Sequence, residues 1–292
     1  MYELIQAGEN TFYMDCPSKV GFYRTGENTV VLIDSGSDEG AARKVRQILE
    51  RENWTAEKIL VTHSHADHIG GNAFLQKRTG CRIYAKGMER AVCLDPLFEP
   101  VSLYGGMPPK SARGKFFMAQ PSVTEELTSE CLPEGMKVID LPGHCYEMCG
   151  FETPDGAVFL ADALSSKETL DKYGIVVIFD VGTYLDTLEK IKTLDGKIFI
   201  PSHVTAAEDM KDLAQYNIDA TMKIAESILS VCAEPMIPDA VTAKLAEMCG
   251  ITLDMNQYLL VGSTVRSYIS WLQEKNELEG IFENGMLYWR RA

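Results

Sequence analysis

Histidine is scarce in this chain, with five residues in 292. Positive charge is short as well: 28 Lys and Arg stand against 42 Asp and Glu, for a formal net charge of −14. That field repels polyanions, so nucleic acid would need a local basic patch working against it, and nucleic-acid binding is not expected. Long apolar runs are missing. Ile175 to Phe179 and Tyr258 to Val261 fall far below the roughly 20 residues a bilayer span requires. The first ten residues show neither a basic n-region nor an apolar h-region, so no secretory signal is expected. The eight cysteines form no CxxC pair. Together these predict a cytoplasmic protein with reduced thiols, most of them small buried hydrophobes. No repeat of about 20–50 residues is present, which excludes a solenoid. No Gly-x-Ser-x-Gly elbow is present to supply a serine nucleophile.

What is present suits a globular α/β protein. Hydrophobic residues make up 46% of the chain, enough for a sizeable core. Thr11 to Met14, Lys19 to Arg24 and Thr29 to Ile33 are β-branched and aromatic runs, with Gly26-Glu27-Asn28 turning between the last two. Glu39 to Glu52 carries Ala42, Val45, Ile48 and Leu49 at helical spacing. Strands are expected at Lys58 to Thr62, Arg82 to Ala85, Lys137 to Leu141, Gly150 to Glu152, Val158 to Leu160 and Lys197 to Ile200. Helices are expected over Ile69 to Thr79 and Thr183 to Thr193, and throughout Ala206 to Cys232. Residues 87–135, rich in Pro, Gly and Ser, are expected to form a long loop, and loops of that length are usually functional or disordered. The expected division is a catalytic domain over 1–235, with 87–135 as a substrate-loop insertion. A small helical segment over 236–292 follows, with winged-helix-like features: a helix over Thr264 to Leu272 and an Asn284-Gly285 hairpin.

The five histidines are not scattered. His63, His65 and His68 share one short segment with Asp67; His144 follows Pro142-Gly143; His203 follows Pro201-Ser202. Histidine is the commonest metal ligand among side chains. If the strand beginning at Lys58 runs on through His65, then His63 and His65 face the same side, about 6.6 Å apart. Asp67 and His68 fall where a helix begins, so they can address a second cation, and Asp67 is also a candidate N-cap. A lone histidine at a strand end is ordinary polar surface. Three histidines and an aspartate within six residues crowd four solvent-seeking groups onto one turn, which a surface role does not explain. Cys145 and Cys149 flank His144, and a thiolate there would offer zinc another ligand. A buried structural thiol is the plainer role for both, and core packing is the plainer role for Tyr146.

The segment His63-x-His65-x-Asp67-His68 after Ile59-Leu60-Val61-Thr62 resembles the metal signature of the metallo-β-lactamase superfamily. Gly143-His144, Leu160-Ala161-Asp162 and Pro201-Ser202-His203 follow in the order of that family. Asp34, in Val31-Leu32-Ile33-Asp34-Ser35-Gly36, matches its aspartate after an N-terminal strand. The resemblance covers about residues 1–205 and is nearest to the glyoxalase-II-like branch, although the long loop and the tail match that branch poorly. It implies a four-layer αββα sandwich with a helical C-terminal extension. It also implies a dinuclear site: His63, His65 and His144 on one metal, Asp67, His68 and His203 on the other, Asp162 bridging, and Asp34 holding the cluster by hydrogen bonds. The family pattern places no cysteine ligand at 145 or 149. Zinc is the expected metal, with iron or manganese as alternatives.

A metal pair of this kind implies hydrolysis by a bridging hydroxide, with Asp67 as the catalytic carboxylate that orients it and accepts a proton. The expected substrate is a small, possibly anionic ester, thioester or lactone. Lys110, Arg113 and Lys115 form a basic stretch that suits a carboxylate or phosphate on such a substrate, although a solvated loop face explains them as well. A phosphodiesterase or ribonuclease of the same fold, an iron-dependent sulfur or oxygen redox enzyme, and a non-catalytic metal-binding protein stand as alternatives in that order. His68 and the lack of a flavin domain weigh against the redox branch. The C-terminal segment suits a lid or a homodimer contact.

Overall fold

The computed structural model describes residues 2–292. The chain divides into two units. The first comprises the residues up to Leu141, with Tyr146–Asp162 and Asp195–Asp209; the second comprises Pro142–Cys145, Ala163–Leu194 and Met210–Ala292. No helix among the described residues is long and apolar enough to cross a membrane.

The first unit opens with four antiparallel strands, β1 (Glu3–Gln6), β2 (Thr11–Asp15), β3 (Val20–Arg24) and β4 (Thr29–Ile33). Helix α1 (Glu39–Arg51) leads to β5 (Thr55–Leu60), which pairs parallel to β4. Helices α2 (Ala66–Ile69) and α3 (Asn72–Thr79) then precede β6 (Arg82–Ala85). Helices α4 (Gly87–Leu94) and α5 (Phe98–Tyr104) and edge strand β7 (Thr124–Glu126) complete a seven-stranded sheet in simple order. The second sheet has four strands, β8 (Lys137–Asp140), β9 (Cys149–Glu152), β10 (Ala157–Ala161) and β11 (Ile198–Pro201), ordered β11-β10-β9-β8.

The layering follows from strand period. On β4, Val30 and Leu32 join a cluster with Ala42, Val45, Ile48 and Leu49 of α1 and Leu75 of α3. Val31 and Ile33 point the other way, into a cluster with Phe151, Ala157, Phe159 and Ile200 of the second sheet. Successive side chains alternate faces, and both faces of β4 are covered, so this strand reads as an unbroken apolar run. Each such side chain contributes about 1.5–3 kcal/mol when fully buried.

The second unit holds α6 (Lys167–Tyr173), α7 (Val181–Ile191), α8 (Lys211–Val231), α9 (Pro238–Met248) and α10 (Met255–Glu274), then the hairpin β12 (Leu278–Glu283) and β13 (Met286–Arg291). Buried Asn217 of α8 ties it internally. Its Oδ1 accepts from the Ser165 N–H at 2.9 Å and the Tyr184 hydroxyl at 3.3 Å, and its Nδ2 donates to the Ser165 and Leu213 carbonyls. The hairpin turns at Asn284 and Gly285, both at positive φ, as the Asn-Gly pair predicts.

Several expectations need correction. Strand β5 ends at Leu60, so His63 and His65 lie in irregular chain beyond it and not on one face of a strand. Residues 87–135 hold two α-helices, two single 3-10 turns (Lys110–Ala112 and Ser129–Cys131) and a strand, because apolar Val92 and Cys93 bury against the sheet and order the segment. The chain from Ala206 to Met210 is not helical, since Ala207 pairs with Phe199 in both directions across their backbones. The helix expected from Ile69 breaks at Gly70-Gly71 into α2 and α3. A Cβ at Gly70 would lie 2.3 Å from the Ser37 carbonyl oxygen, and one at Gly71 would lie 2.3 Å from that of Ser35.

This close approach is testable against Gly80, which caps α3 at φ 73° with open space around it. Gly80→Ala should cost about 1 kcal/mol from backbone strain alone. Gly71→Ala must move backbone against backbone and should cost about 2–3 kcal/mol. Urea midpoints read the difference; equal shifts would show that the Ser35 loop yields freely.

Candidate metal centre

The first unit gathers polar groups just past the carboxyl ends of its strands. Asp34 follows β4, His63, His65, Asp67 and His68 follow β5, Asp162 follows β10 and His203 follows β11. The pairs β4–β5 and β10–β11 are parallel, so these ends fall at the same edge within each sheet, the usual place for a site in parallel sheets. Two residues there adopt left-handed backbone without being glycine: Asp34 at φ 61° and Ala161 at φ 51°. Such conformations persist where surrounding contacts enforce them, and they concentrate at functional sites.

Hydrogen bonds set the imidazoles. Asp34 accepts from the Thr62 N–H (2.8 Å), the Thr62 hydroxyl (2.7 Å) and His68 Nδ1 (2.9 Å). The Thr62 hydroxyl has given its only hydrogen to Asp34, so it can only accept from His63 Nδ1, 3.1 Å away. His203 Nδ1 donates to the Pro17 carbonyl at 2.5 Å. In all three rings Nδ1 carries the proton and Nε2 is turned toward the cluster. His65 is turned the other way. Its Nδ1 lies 3.2 Å from His63 Nε2, and its Nε2 lies 3.6 Å from Glu99 Oε1.

These inner nitrogens converge on carboxylates. Asp162 places Oδ1 3.2 Å from His68 Nε2 and Oδ2 3.1 Å from His203 Nε2 and 3.8 Å from His63 Nε2. Asp67 Oδ2 lies 3.2 Å from His203 Nε2 and 3.7 Å from His68 Nε2. Ser18 steadies it by donating its hydroxyl at 2.6 Å. The expected helix-capping role of Asp67 is corrected: His65 occupies the N-cap position of α2 without a side-chain bond to the helix, and Asp67 turns toward the cluster instead. Ligand atoms of Asp67, His68, Asp162 and His203 all lie within 4.8 Å of one another, as do those of His63, His65 and Asp162. Asp162 is common to both sets.

The donor set fits a metal. His68 Nε2 is buried and makes no hydrogen bond, yet it faces two carboxylate oxygens. A nitrogen lone pair and anionic oxygens at that range repel unless a cation lies between them, either a proton or a metal ion. Imidazole and carboxylate suit zinc, manganese or iron. Burial opposes charge on His68, but Asp162 and Asp67 outweigh it and hold the imidazolium well above its ordinary range. Burial also opposes charge on His203, which Asp162 and Asp67 raise to about 10. Burial pushes Asp162 and Asp67 upward, and the neighbouring His68 and His203 charges reverse that, leaving both carboxyls well below the usual range.

The sign of these shifts gives a test. Both imidazoles hold protons at pH 8 without metal, and metal requires their lone pairs. Zinc added to metal-free protein at pH 8 in weak buffer should therefore release about two protons per chain, read with an indicator dye. Zinc uptake without proton release would show that His68 and His203 are not ligands.

The remaining expected residues divide. His144 belongs to the second unit, where its Nδ1 donates to the Val177 carbonyl at 2.9 Å. Gly143 beside it, at φ 115°, accepts from the Phe179 and Asp180 N–H groups. Thr264 and Ser267 of α10 anchor that same loop through the Ile178 N–H and the Phe179 carbonyl. Lys110, Arg113 and Lys115 are exposed and lie outside the two groups of ligand atoms. Cys145 and Cys149 are buried, and burial pushes the Cys149 thiol upward, away from the thiolate a metal would need. Thr62 and Ser18, which touch the ligand-bearing residues, and Glu89 and Glu99, which hold Ser64 and face His65, are contacts that the sequence reading misses. Thr62, adjacent to the histidines, carries some signal; the others are remote in sequence.

Comparison with known proteins agrees with this geometry. The model of the metallo-beta-lactamase superfamily matches residues 13–203. A hydroxyacylglutathione hydrolase of Bradyrhizobium sp. (strain ORS 278) is 33% identical over 169 residues, 56% of this chain and 54% of the relative. Another, from Rhodopseudomonas palustris (strain BisA53), is 31% identical over 176 residues, 58% and 57% of the two chains. The match thus spans about half the length of these relatives. Among solved structures, a beta-lactamase domain protein from Burkholderia ambifaria superposes with a TM-score of 0.77 at 17% identity, covering 99% of this chain and 94% of that one. A metallo-beta-lactamase family protein from Thermus thermophilus gives 0.72 at 15% identity, covering 97% and 99%. The expected αββα fold with its C-terminal helices is the fold of these neighbours. With its strand-end histidines and aspartates in family order and a family match over most of its length, the chain belongs to the metallo-β-lactamase superfamily.

Proposed function

We propose that this protein is a dinuclear metal-dependent hydrolase of a small ester, thioester or lactone, with zinc as its metal and the cytoplasm as its compartment. One observation carries the reading: Asp162 is shared between two groups of ligand atoms, each compact enough for one ion. The proposal assigns His63, His65 and His144 to one position and Asp67, His68 and His203 to the other, with Asp162 between. When bound, two divalent cations supply an acidified water and a charge that polarises the scissile carbonyl.

The chain's own residues contribute orientation and proton handling. Asp34 and Thr62 keep Nδ1 of His68 and His63 protonated, so Nε2 faces inward. Asp162 is nearly enclosed, whereas the Asp67 side chain is 42% exposed. Asp67 is thus the carboxylate that reaches both the reacting water and solvent. It is ionised throughout the neutral range, so it would accept a hydrogen bond from an attacking water and orient it.

The thioester among these candidates rests on the likeness to hydroxyacylglutathione hydrolases. Lys110, Arg113 and Lys115 are proposed to hold an anionic part of the substrate, since they are exposed cations in an acidic chain. Residues 1–235 are proposed as the catalytic domain and 236–292 as a lid or dimer contact.

The test is metal analysis of gently purified protein, then a panel of hydroxyacylglutathione, other thioesters, esters, lactones and phosphodiesters. About two metals per chain and turnover of a carbonyl ester or thioester are expected. Asp67→Asn should lower kcat by on the order of 10²–10⁴-fold with metal retained. The double variant His65→Ala, Asp162→Ala should lose turnover; full activity in that variant would overturn the mechanism. Phosphodiester hydrolysis alone would select the nuclease reading.

A further inference from the structure

His203 is the least enclosed of the histidines. The His63 and His68 side chains are fully buried, whereas that of His203 is 39% exposed. It stands in irregular chain after β11, and a cavity of about 540 Å³ opens beside it, lined in part by Tyr13, Cys16, Lys19 and Ala206. Packing alone does not fix a side chain so placed. Hydrogen bonds do, and the turn between β2 and β3 supplies them from three consecutive residues. The Pro17 carbonyl meets the His203 ring, and the Ser18 hydroxyl donates to Asp67. Lys19 takes the backbone on either side of His203. Its N–H donates to the Ser202 carbonyl at 3.2 Å. Its ammonium donates to the Val204 carbonyl at 2.7 Å and reaches the Ser202 carbonyl at 3.4 Å. The Ser202 N–H in turn donates to the Ala161 carbonyl at 2.9 Å, so the residue before His203 is tied from two directions.

The burial of Lys19 makes these contacts consequential. Its side chain is 8% exposed. Lysine is seldom buried unless paired, and a buried charge is costly unless engaged. The Asp15 carboxylate lies 4.0 Å away, at the outer limit of an ion pair. The close partner is instead the Val204 carbonyl, in the chain that flanks an expected ligand. An apolar side chain would fill the same space at lower cost, but it could not hold two carbonyls.

We infer that Lys19 is a positioning residue for the metal position assigned to Asp67, His68 and His203, holding His203 by the carbonyls on its two sides. The inference rests on the proposed metal site and names a residue outside its ligands. With Pro17 and Ser18, Lys19 makes one short turn the common support of His203 and Asp67. Its charge and its hydrogen bonds act on a metal ion in opposite senses. A cation beside a cation site repels the ion, whereas a ligand already held in place spares the ion the cost of ordering it. Removing the ammonium therefore separates the two effects by sign.

The test uses the full chain and zinc alone. Competition with a chromophoric chelator resolves two zinc-binding steps, and urea midpoints of metal-free protein report stability. Lys19→Met keeps the apolar stem and removes the ammonium. It should weaken one zinc step about 10–100-fold and leave the other unchanged. Lys19→Arg, which keeps the charge and its donors, should recover part of that loss. Unchanged or tighter zinc binding in Lys19→Met would overturn the inference. Equal weakening of both steps with a lower urea midpoint would mark a merely structural role and overturn it as well. The wild type supplies a check that needs no variant to fold. By ¹⁵N NMR its Lys19 ammonium should exchange hydrogens with water far more slowly than those of exposed Lys110 and Lys115. Exchange at their rate would show that the carbonyls are not held, and the inference would fall. Failure of the wild type to bind two zinc ions would instead sink the proposed function, so the two failures are distinguishable.

Discussion

The Asp34 carboxylate is the joint on which the site turns. It accepts three hydrogen bonds, two from Thr62 and one from His68. Through them it couples the end of β4 to the end of β5 and dictates the tautomer of two imidazoles. The backbone at Asp34 is left-handed, which costs an L-residue about 1–2 kcal/mol. Hydrogen bonds to a charged acceptor are worth about 1.5–3 kcal/mol each, so three of them outweigh the strain. Aspartate also tolerates this conformation better than most residues.

Around that joint the sandwich supplies rigidity rather than chemistry. Apolar clusters on both faces of β4 hold its end in place. Well-packed interiors resist small displacements, so groups just past the strand ends inherit fixed positions. The same logic applies at Asp162, which follows Ala161 at positive φ where the β10–β11 register shifts. Electrostatics then works in the opposite sense to burial. Aspartates and histidines that would be costly alone stabilise one another's charges, and that mutual arrangement is what a metal ion replaces.

Legibility in the sequence follows from locality. The apolar run of β4, the helical spacing in α1 and the Asn284-Gly285 turn depend on neighbours a few residues away, and each is readable. The segment from His63 to His68 is readable because four metal-capable groups within six residues have no good alternative use. The strand geometry expected beneath it is not correct, since β5 stops at Leu60 and the rings meet through irregular chain. Asp67 reads as a helix cap because capping is what an aspartate usually does there; Ser18 and His203, distant in sequence, claim it instead. Residues 87–135 read as irregular because Pro and Gly dominate local propensity, while burial against the sheet imposes α4, on which α5 packs.

The chain's own order of residues therefore determined which chemistry is possible: five histidines and a few aspartates in a family's sequence, at the ends of apolar runs. Only the tertiary structure decided which atom of each faces inward. Tautomers depend on what lies at the outer edge of each ring, and those partners, Pro17 for His203 and Thr62 with Asp34 for His63 and His68, arrive from elsewhere in the fold. It also decided that Glu89 and Glu99 are buried rather than solvated, because burial is set by packing across the sheet, which no local pattern in an acidic sequence announces.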